Sequence, residues 1–230
     1  MVNMDNLITT KFKLNLKNIK NIIFLIFKNK SPIRIFHNIF LQDIKINGKV
    51  IDLGSGQHSS YYKFLDSSNT EITYADNQIS DKKKFIKLDF EKKLELPDEK
   101  YDTVILFNVL EHIVEYKGFL REIHRILKKD GKLELFVPFM HMYHPDPKDI
   151  FRPTHQYLDI LFRELGFNAK IYLIGVGPFA VCSEIILKYV KIKLLKIPLL
   201  LIFILIDKFI KIFSKDFTKY YNGIHCSCKK

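Results

Sequence analysis

From residue 49 onward the sequence alternates short apolar runs with segments of helical periodicity, and this alternation strongly limits what the chain can fold into. The runs KVIDL, EITYAD, KFIKLD, YDTVILFNVL, KLELFVPF and AKIYLIG are typical of buried strands. Between them, SSYYKFL is expected to begin a helix, and GFLREIHRILKK and THQYLDILFRELG carry apolar residues at helical spacing. Strands that alternate with helices predict an α/β fold, with helices on both faces of a largely parallel sheet.

Polar residues follow the ends of most of these predicted strands. In an open α/β sheet, ligands bind outside the carboxyl ends of the strands, near the point where the strand order reverses. We therefore expect a binding site built from these strand ends. The candidates are Asp52, Gly54, Gly56, Asp76, Asp89, Asn108, Glu111 and His112.

The first strand runs into a glycine turn, VIDLGSGQHS. Gly54 and Gly56 allow a sharp turn and a close approach of the backbone to a ligand. A dinucleotide fingerprint would need a third glycine where Ser59 stands, which weakens the interpretation as a nicotinamide dehydrogenase. Asp76, at the end of the second strand, suits a ribose because one carboxylate can accept from two hydroxyls. A strand-end turn is the alternative for Asp76, and more so for Asp89.

The succession VIDLGSG, ITYAD, KLDFEK, YDTVILFNVLEHI and FLREIHRILKKDGKLELFVP resembles the class I S-adenosylmethionine-dependent methyltransferases, the broad methyltransferase type 11 group. The resemblance covers residues 48–177 and returns at the end of the chain. It implies a Rossmann-like sheet of seven strands with S-adenosylmethionine as cofactor. The last strand, GIHCSCKK, would lie antiparallel beside the sixth.

The same resemblance implies a role for each residue at the strand ends. Asp76 would hold the ribose, and His58 stands where the family usually has a third glycine. The methionine part of the cofactor would lie against Asp52, Gly54 and Gly56, the adenine against Asp89 and Phe90, and the methyl donor beside Asn108, Glu111 and His112.

The loop after the fifth strand, MHMYHPDPKDIFRPTH, is similar to a segment of methyltransferases of bacterial cell-surface polysaccharide biosynthesis. We expect at least one of His141, His144 and Asp146 to contact the acceptor or to act as acid or base. A hydroxyl acceptor needs a base that titrates near the working pH, which points first to histidine. The alternative is a structural network in which Arg152 pairs with Asp146 or Asp149.

No metal site is expected in this loop. His141 and His144 could reach one ion together with Asp146 or Asp149. However, methyl transfer requires no metal, and the prolines break the register between these groups. His112, which follows the fourth strand, is a further catalytic candidate, with a purely structural role as the alternative.

The formal net charge of +12 is concentrated at the two ends of the chain. Residues 1–49 and residues 178–230 each carry a net charge of +7, whereas residues 50–177 carry −2. Because the basic residues accompany apolar faces, and because the N-P-P-[YF] element of base amino-methylases is absent after the fourth strand, we expect no nucleic-acid partner.

Both basic ends are also apolar. The run Ile197–Ile206 has about half of the roughly 20 residues that a spanning helix needs. We expect two helices broken near Pro198, and peripheral contact with a membrane through residues 178–213 and 15–40. Packing of these helices on each other, or in a homodimer, is the alternative.

The three cysteines form no disulfide framework, and no secretory signal is visible. We therefore expect a cytoplasmic protein, or one that lies on the inner face of a membrane. We expect a basic helical extension over residues 1–47 and a methyltransferase domain over residues 48–230. A hydrophobic helical insertion over residues 178–215 would separate its last two strands.

The function expected from these features is methyl transfer from S-adenosylmethionine to a sugar hydroxyl or a related group. The acceptor would be a small molecule or a lipid-linked glycan in surface-glycan assembly. A quinone or another lipid is an alternative acceptor. A non-catalytic, membrane-associated scaffold that retains the fold is an alternative of another class.

Overall fold

The computed structural model describes residues 7–10, 12–56, 60–77, 84–146, 148–214 and 217–230. Its strands are β1 (Leu7–Thr9), β2 (Gly48–Leu53), β3 (Thr70–Asp76), β4 (Phe85–Lys87), β5 (Tyr101–Phe107), β6 (Leu127–Pro138), β7 (Asn168–Val176) and β8 (Tyr221–Lys229). Its helices are α1 (Leu16–Phe27), α2 (Pro32–Phe40), α3 (Tyr116–Ile126), α4 (His155–Glu164), α5 (Pro178–Tyr189) and α6 (Lys193–Phe213).

These strands form one sheet in the order β1-β7-β8-β6-β5-β2-β3-β4. Neighbouring strands run parallel, except that β8 is antiparallel to both β6 and β7. The expected α/β, Rossmann-like sheet is therefore confirmed. The strand order reverses between β2 and β5, so the carboxyl ends of β2, β3 and β5 border one crevice.

The expectation of seven strands is wrong by one. β1 adds an eighth strand at the edge of the sheet, where Leu7 and Thr9 pair in parallel with Ile171 and Leu173. The hydroxyl of Thr10 then donates to the carbonyl of Leu173 at 2.6 Å. A strand of three residues is too short to show an apolar alternation, so only its pairing with β7 selects the extended conformation.

The two faces of the sheet pack against different helices. Ile51 and Leu106 point into the core that also holds α3 and α4. Val50 and Ile105, the preceding residue in each strand, point into the core that holds α1, α2, α5 and α6. This alternation follows from the two-residue period of a strand, and it explains why β5 is apolar throughout.

The helices α5 and α6 lie between β7 and β8 in the chain and are joined by residues 190–192. The expected break near Pro198 is wrong, because Pro198 lies inside α6, where it removes one backbone hydrogen bond. The buried carboxylate of Asp207 on α6 accepts from the backbone N–H groups of Phe179 and Ala180, at 3.0 and 2.6 Å. This contact caps the start of α5 and holds the two helices together.

α6 is the longest helix in the described part of the chain, with 21 residues. A helix of that length could match the thickness of a bilayer, but lysines interrupt its apolar sequence at both ends. Within the described ranges, none of the helices combines the length and the apolar character needed to cross a membrane.

Candidate active site

A cavity of about 500 Å³ opens at the carboxyl ends of β2, β3 and β5. This volume lies within the range of small-molecule sites. Eight of the twelve residues that the sequence singled out line the cavity: Gly54, Gly56, Asp76, Asp89, Phe90, Asn108, His112 and Asp146. The other four, Asp52, Glu111, His141 and His144, are not part of its lining.

The glycine turn after β2 adopts the conformation that its sequence predicts. Gly54 and Gly56 have φ angles of +77° and +54°, in the left-handed region that favours glycine. A Cβ atom on Gly54 would lie 2.2 Å from Cγ2 of Val109, so a side chain has no room there. The backbone N–H of Gly56 donates to the carboxylate of Asp76 at 3.0 Å. The turn is thereby held against the end of β3.

Asp89 and Phe90 follow β4 and line the same cavity. Asp89 is exposed, and its pKa is lowered by hydrogen bonds from Lys92, at 2.9 Å, and from the backbone of Glu91. Phe90 is buried and packs on Phe119 with 5.2 Å between the ring centroids. The two residues therefore present a charged group beside an apolar surface.

Asp52 lies beneath the cavity, with 1% of its surface exposed. Its Oδ2 accepts hydrogen bonds from the hydroxyls of Tyr61 and Tyr62. Burial, followed by the charge of Asp52, raises the pKa of Tyr62. Tyr61 lines the cavity, so it connects the carboxylate of Asp52 to the site. Tyr61 has no role in the predicted site, although its place shortly after the glycine turn could have suggested one.

The segment after the glycine turn is not the helix that SSYYKFL predicts. Its described part is a single 3₁₀ turn, Ser60–Lys63. The tyrosine hydroxyls bind Asp52 from this turn, and a short turn satisfies that geometry without a full helix. His58 and Ser59, to which the sequence analysis referred, lie outside the described residues.

Asn108 follows the last residue of β5, has a φ of +55° and lines the cavity. Asparagine adopts this left-handed conformation more readily than most residues, and such strain is common at functional sites. A 3₁₀ turn, Leu110–His112, follows directly. It buries Glu111 completely while His112 reaches the cavity wall.

Glu111, His112 and His144 come together beside this wall, and we call these three residues the Glu-His-His cluster. Oε1 of Glu111 lies 3.7 Å from Nε2 of His112 and 3.7 Å from Nε2 of His144. Among the described residues, neither carboxylate oxygen of Glu111 has a hydrogen-bond partner. The carboxylate of Glu111 raises the pKa of His144, against the opposite effect of burial.

The loop after β6 is anchored to the turn that carries this cluster. The backbone N–H of Ile150 donates to the carbonyl of Glu111 at 2.9 Å. Nδ1 of His112 is hydrogen-bonded to the carbonyl of Lys148. These two contacts bring the loop residues Asp146 and Lys148 to the cavity wall, although they lie more than thirty positions from His112 in the sequence.

Arg152 pairs with Asp149 rather than with Asp146. Both terminal nitrogens of its guanidinium contact the Asp149 carboxylate, one of them at 2.6 Å. Asp149 also accepts from the backbone N–H of His144 at 2.9 Å. Burial opposes ionisation of Asp149, but these hydrogen bonds outweigh it and lower its pKa. The pair therefore fixes the position of His144 and leaves Asp146 at the cavity wall.

His141 is turned toward the helices. Its Nδ1 lies 3.1 Å from Oε1 of Glu184, a buried residue of α5. Oε2 of Glu184 accepts from the backbone N–H of Ile33 at the start of α2, at 2.7 Å. His141 thus connects the loop to α5 and α2.

The N-terminal part of the chain supplies two cations to the cavity wall, Lys30 between α1 and α2 and Arg34 in α2. Burial, followed by the charge of Arg34, lowers the pKa of Lys30. This pair is absent from the predicted site. The basic character of residues 1–49 was visible, but the sequence could not show which cations face the sheet edge.

Residues 50–135 match the family model described as Methyltransferase domain. A SAM-dependent methyltransferase from Archaeoglobus fulgidus has a TM-score of 0.59 at 16% identity, over 90% of this chain and 99% of that one. An S-adenosylmethionine-dependent methyltransferase from Mesorhizobium loti has a TM-score of 0.54 at 10% identity, over 84% and 95%. No curated protein matches the sequence.

A further structure with the same fold is a phosphoethanolamine N-methyltransferase 2 from Haemonchus contortus, in complex with phosphomonomethylethanolamine and S-adenosylhomocysteine. Its TM-score is 0.50 at 11% identity, and the match covers 84% of this chain and 52% of that one. At such identities these structures establish the shared fold.

The sheet, the cavity at the reversal of strand order and the matched segment define a Rossmann-like methyltransferase. The protein is an S-adenosylmethionine-dependent enzyme, with S-adenosylmethionine as its cofactor. The cavity fits that cofactor, because the carboxylate of Asp76 can accept from ribose hydroxyls and Phe90 offers an apolar surface to a base.

Proposed function

We propose that the protein methylates a hydroxyl, or a related group, of a sugar in surface-glycan assembly, most simply on a lipid-linked glycan. The observation that carries the proposal is the composition of the cavity wall. Strand-end residues such as Gly54 and Asp76 share one cavity with Asp146 and Lys148 of the loop after β6. The likeness of that loop to methyltransferases of polysaccharide biosynthesis supports a sugar acceptor.

The strand ends would hold the cofactor, which supplies a methyl group on a positively charged sulfur. We assign Asp76 the binding of the ribose, and we place Asn108 beside the methyl donor. Gly54 and Gly56 would contact the methionine part, with Asp52 acting through Tyr61, and the adenine would lie against Asp89 and Phe90. The turn that Gly56 and Asp76 hold together pre-organises this wall.

The loop would hold the acceptor. We assign Asp146 the uptake of the hydroxyl proton, because its carboxylate is exposed at the cavity wall. The acceptor oxygen would bond to the methyl carbon as the bond from that carbon to the cofactor sulfur breaks, and S-adenosylhomocysteine would leave. His112 lies on the same wall and would orient the acceptor, with His144 and Glu111 acting through it. His141 would keep the loop in position through Glu184. Much of the rate would come from holding the acceptor in line with the methyl group.

Lys30 and Arg34 favour an acceptor that carries phosphate. Two cations in one wall attract a phosphate or pyrophosphate group, and a guanidinium can bind it with two hydrogen bonds. A sugar linked to a lipid through phosphate has this chemistry. A neutral quinone does not, so the charge of this wall favours the glycan over the alternative acceptor.

We further propose that the protein lies on the inner face of a membrane, through a surface that we call the α5–α6 surface. It contains the exposed apolar residues Ile185, Tyr189, Ile192, Leu194, Leu195, Phe209, Ile212 and Phe213. It also contains Lys188, Lys191, Lys193, Lys196, Lys208 and Lys211. Apolar side chains between lysines suit an anionic bilayer. A homodimer through the same surface is the alternative.

The N-terminal helices adjoin this surface. Nζ of Lys193, at the start of α6, donates to the carbonyl of Phe27 at the end of α1, at 3.0 Å. Phe27 is itself exposed. We therefore propose that residues 15–40 share the membrane contact, and that residues 1–47 serve the domain of residues 48–230 as an extension. Residues 178–215 would be the membrane-facing insertion in that domain.

Methyl incorporation into cell fractions tests the proposed acceptor. Cells that produce the protein would receive tritium-labelled S-adenosylmethionine after permeabilisation, and label would be counted in the glycan and lipid extracts. We expect protein-dependent label in lipid-linked glycan, and much less label with Asp76→Ala at the same cofactor concentration. Label in a quinone fraction alone would overturn the glycan acceptor. Folded protein that binds the cofactor but labels no fraction would favour a scaffold.

A further inference from the structure

The strongest unexplained feature of the site is the carboxylate of Glu111. The residue is 0% exposed, and within the described residues its two oxygens accept no hydrogen bond. A buried carboxylate without donors is costly unless a positive charge lies beside it. The two histidines of the Glu-His-His cluster lie beside it, each with Nε2 3.7 Å from Oε1 of Glu111.

The spacing of these atoms is close to that of metal ligands. Each Nε2 lies 3.7 Å from Oε1 of Glu111, and one ligand atom from each residue lies within 4.8 Å of the others. Ligand atoms at about 2.0–2.2 Å from one ion are separated by roughly 3–3.5 Å in tetrahedral or octahedral geometry. Small side-chain movements would therefore close the cluster around an ion.

The outer contacts of the histidines suit metal binding as well. Nδ1 of His112 is hydrogen-bonded to the carbonyl of Lys148, so its proton lies there and Nε2 keeps a free lone pair. Nδ1 of His144 lies 3.2 Å from the carbonyl of Met142, which would favour the same arrangement, and also 3.2 Å from Nη2 of Arg152, which can only donate. Metal-binding histidines commonly donate their second ring N–H to a carbonyl in this way. The contact of Asp149 with the His144 backbone holds that residue in place.

We propose that Glu111, His112 and His144 bind one divalent transition-metal ion of the zinc type. Two imidazoles and one carboxylate are a donor set that zinc uses in catalytic sites, where a fourth position stays open. That position would face the cavity, since His112 lines its wall. This inference revises the expectation of no metal, which considered His141 and His144 with Asp146 or Asp149. In the structure His141 contacts Glu184, and Arg152 pairs with Asp149.

The role of the ion rests on the proposed function, although its binding does not. An acceptor hydroxyl at the open position would lose electron density to the ion, which would ease the loss of its proton to Asp146. A sugar hydroxyl is weakly acidic, so this help is of greater value for a sugar than for a phenol.

Metal titration of the purified full chain tests the proposal. Chelator-treated protein would be titrated with Zn²⁺ by calorimetry and with Co²⁺ by visible absorption, which reports the geometry of the bound ion. Cys182 would be changed to serine in all variants, because its exposed free thiol could bind zinc on its own. We expect one ion per chain and a Co²⁺ spectrum of low coordination number.

Two variants and a matched control locate the ion. Glu111→Gln and His144→Asn should each weaken metal binding by more than about tenfold. Loss of a group that only hydrogen-bonds to a metal ligand already lowers the affinity by about 10–100-fold, so loss of a ligand itself should cost at least as much. His155→Asn should bind normally, because His155 borders the same loop but contacts Tyr221. Circular dichroism and cofactor binding would establish that each variant is folded.

The outcomes separate this proposal from the proposed function. Folded protein that binds S-adenosylmethionine but no Zn²⁺ or Co²⁺, or that binds them equally well as Glu111→Gln and His144→Asn, would overturn the metal site alone. One ion per chain, lost in both variants, would support it even if no glycan fraction acquired label.

Discussion

The backbone N–H of Gly56 donates to the carboxylate of Asp76 at 3.0 Å, across the carboxyl ends of β2 and β3. Both residues line the cavity, so the turn that shapes the site and the acid assigned to the ribose are held as one unit. Loss of either partner should therefore change the cofactor site before it changes the rest of the fold.

Asp76→Ala should weaken S-adenosylmethionine binding by about 10–100-fold, because hydrogen bonds to a charged group contribute about 1.5–3 kcal/mol. Isothermal titration calorimetry measures this change. Glu71→Ala is the matched control, since Glu71 lies on the same strand but forms only an exposed ion pair with Lys84. Equal affinity in Asp76→Ala and the wild type would refute the assignment.

Gly54→Ala should destabilise the protein by about 2–4 kcal/mol, from left-handed backbone strain and from overlap with Val109. Gly118→Ala in α3 should instead be neutral or stabilising by up to about 1 kcal/mol, because no atom lies within 4 Å of its added Cβ. Urea unfolding measures both changes. A second substitution, Val109→Ala, should recover part of the loss in Gly54→Ala, and no recovery would show that the overlap is not the cause.

Asp146→Asn should lower kcat by about 10²–10⁴-fold if Asp146 takes the acceptor's proton. Cofactor affinity should stay within about twofold of the wild type, because the cofactor is assigned to the strand ends. Steady-state formation of methylated glycan measures kcat, and calorimetry measures the affinity for the cofactor. Asp130→Asn, an exposed aspartate paired with Lys229, should leave both unchanged. An unaltered kcat in Asp146→Asn would assign the proton to another group.

The double variant Phe209→Ser/Phe213→Ser should lose most binding to anionic vesicles, because it removes two large side chains that are 64% and 74% exposed on the α5–α6 surface. Co-sedimentation with vesicles measures the loss, and added salt should weaken the wild type through its lysines. Ile160→Ser, an exposed apolar residue of α4, should bind as the wild type does. A lipid-independent dimer that this double variant dissociates would favour a protein interface.

His37 should make the stability depend on pH. It is buried between α2 and the sheet, with Nε2 3.1 Å from Nδ1 of His225, whose Nε2 lies 2.9 Å from Glu134. Burial, followed by the charges of His225 and Arg34, holds the pKa of His37 well below its ordinary value. The unfolded chain therefore takes up a proton below about pH 6.5 that the folded chain does not. Stability should fall there by up to about 1.4 kcal/mol per pH unit.

Urea unfolding of His37→Gln across this pH range measures that contribution. The variant should be less stable near pH 7, because glutamine replaces a packed ring, yet its stability should depend less steeply on pH below about 6.5. Parallel curves for the variant and the wild type would mean that His37 does not take up the proton on unfolding.

The strand-end residues could be predicted because their signal is local. An acid or an asparagine that follows an apolar run lies at the carboxyl edge of a parallel sheet, and Asp76 and Asn108 do line the cavity there. Lys30 and Arg34 could not be predicted in this way. They lie in one of several basic segments of the chain, and the sequence does not show which lysines and arginines reach the sheet. Only the packing of α1 and α2 on the sheet brings these two cations to the site.

The sequence by itself determined the α/β class, the edge of the sheet that carries the cavity and eight of the residues that line it. Periodicity and glycine placement report how each short segment is buried or turned, and those are local properties. The tertiary structure alone decided that β1 joins the sheet, that Arg152 pairs with Asp149, and that Glu111 lies buried between His112 and His144. These contacts form between segments that lie far apart in the sequence. The pattern of neighbouring residues does not show which distant segments meet.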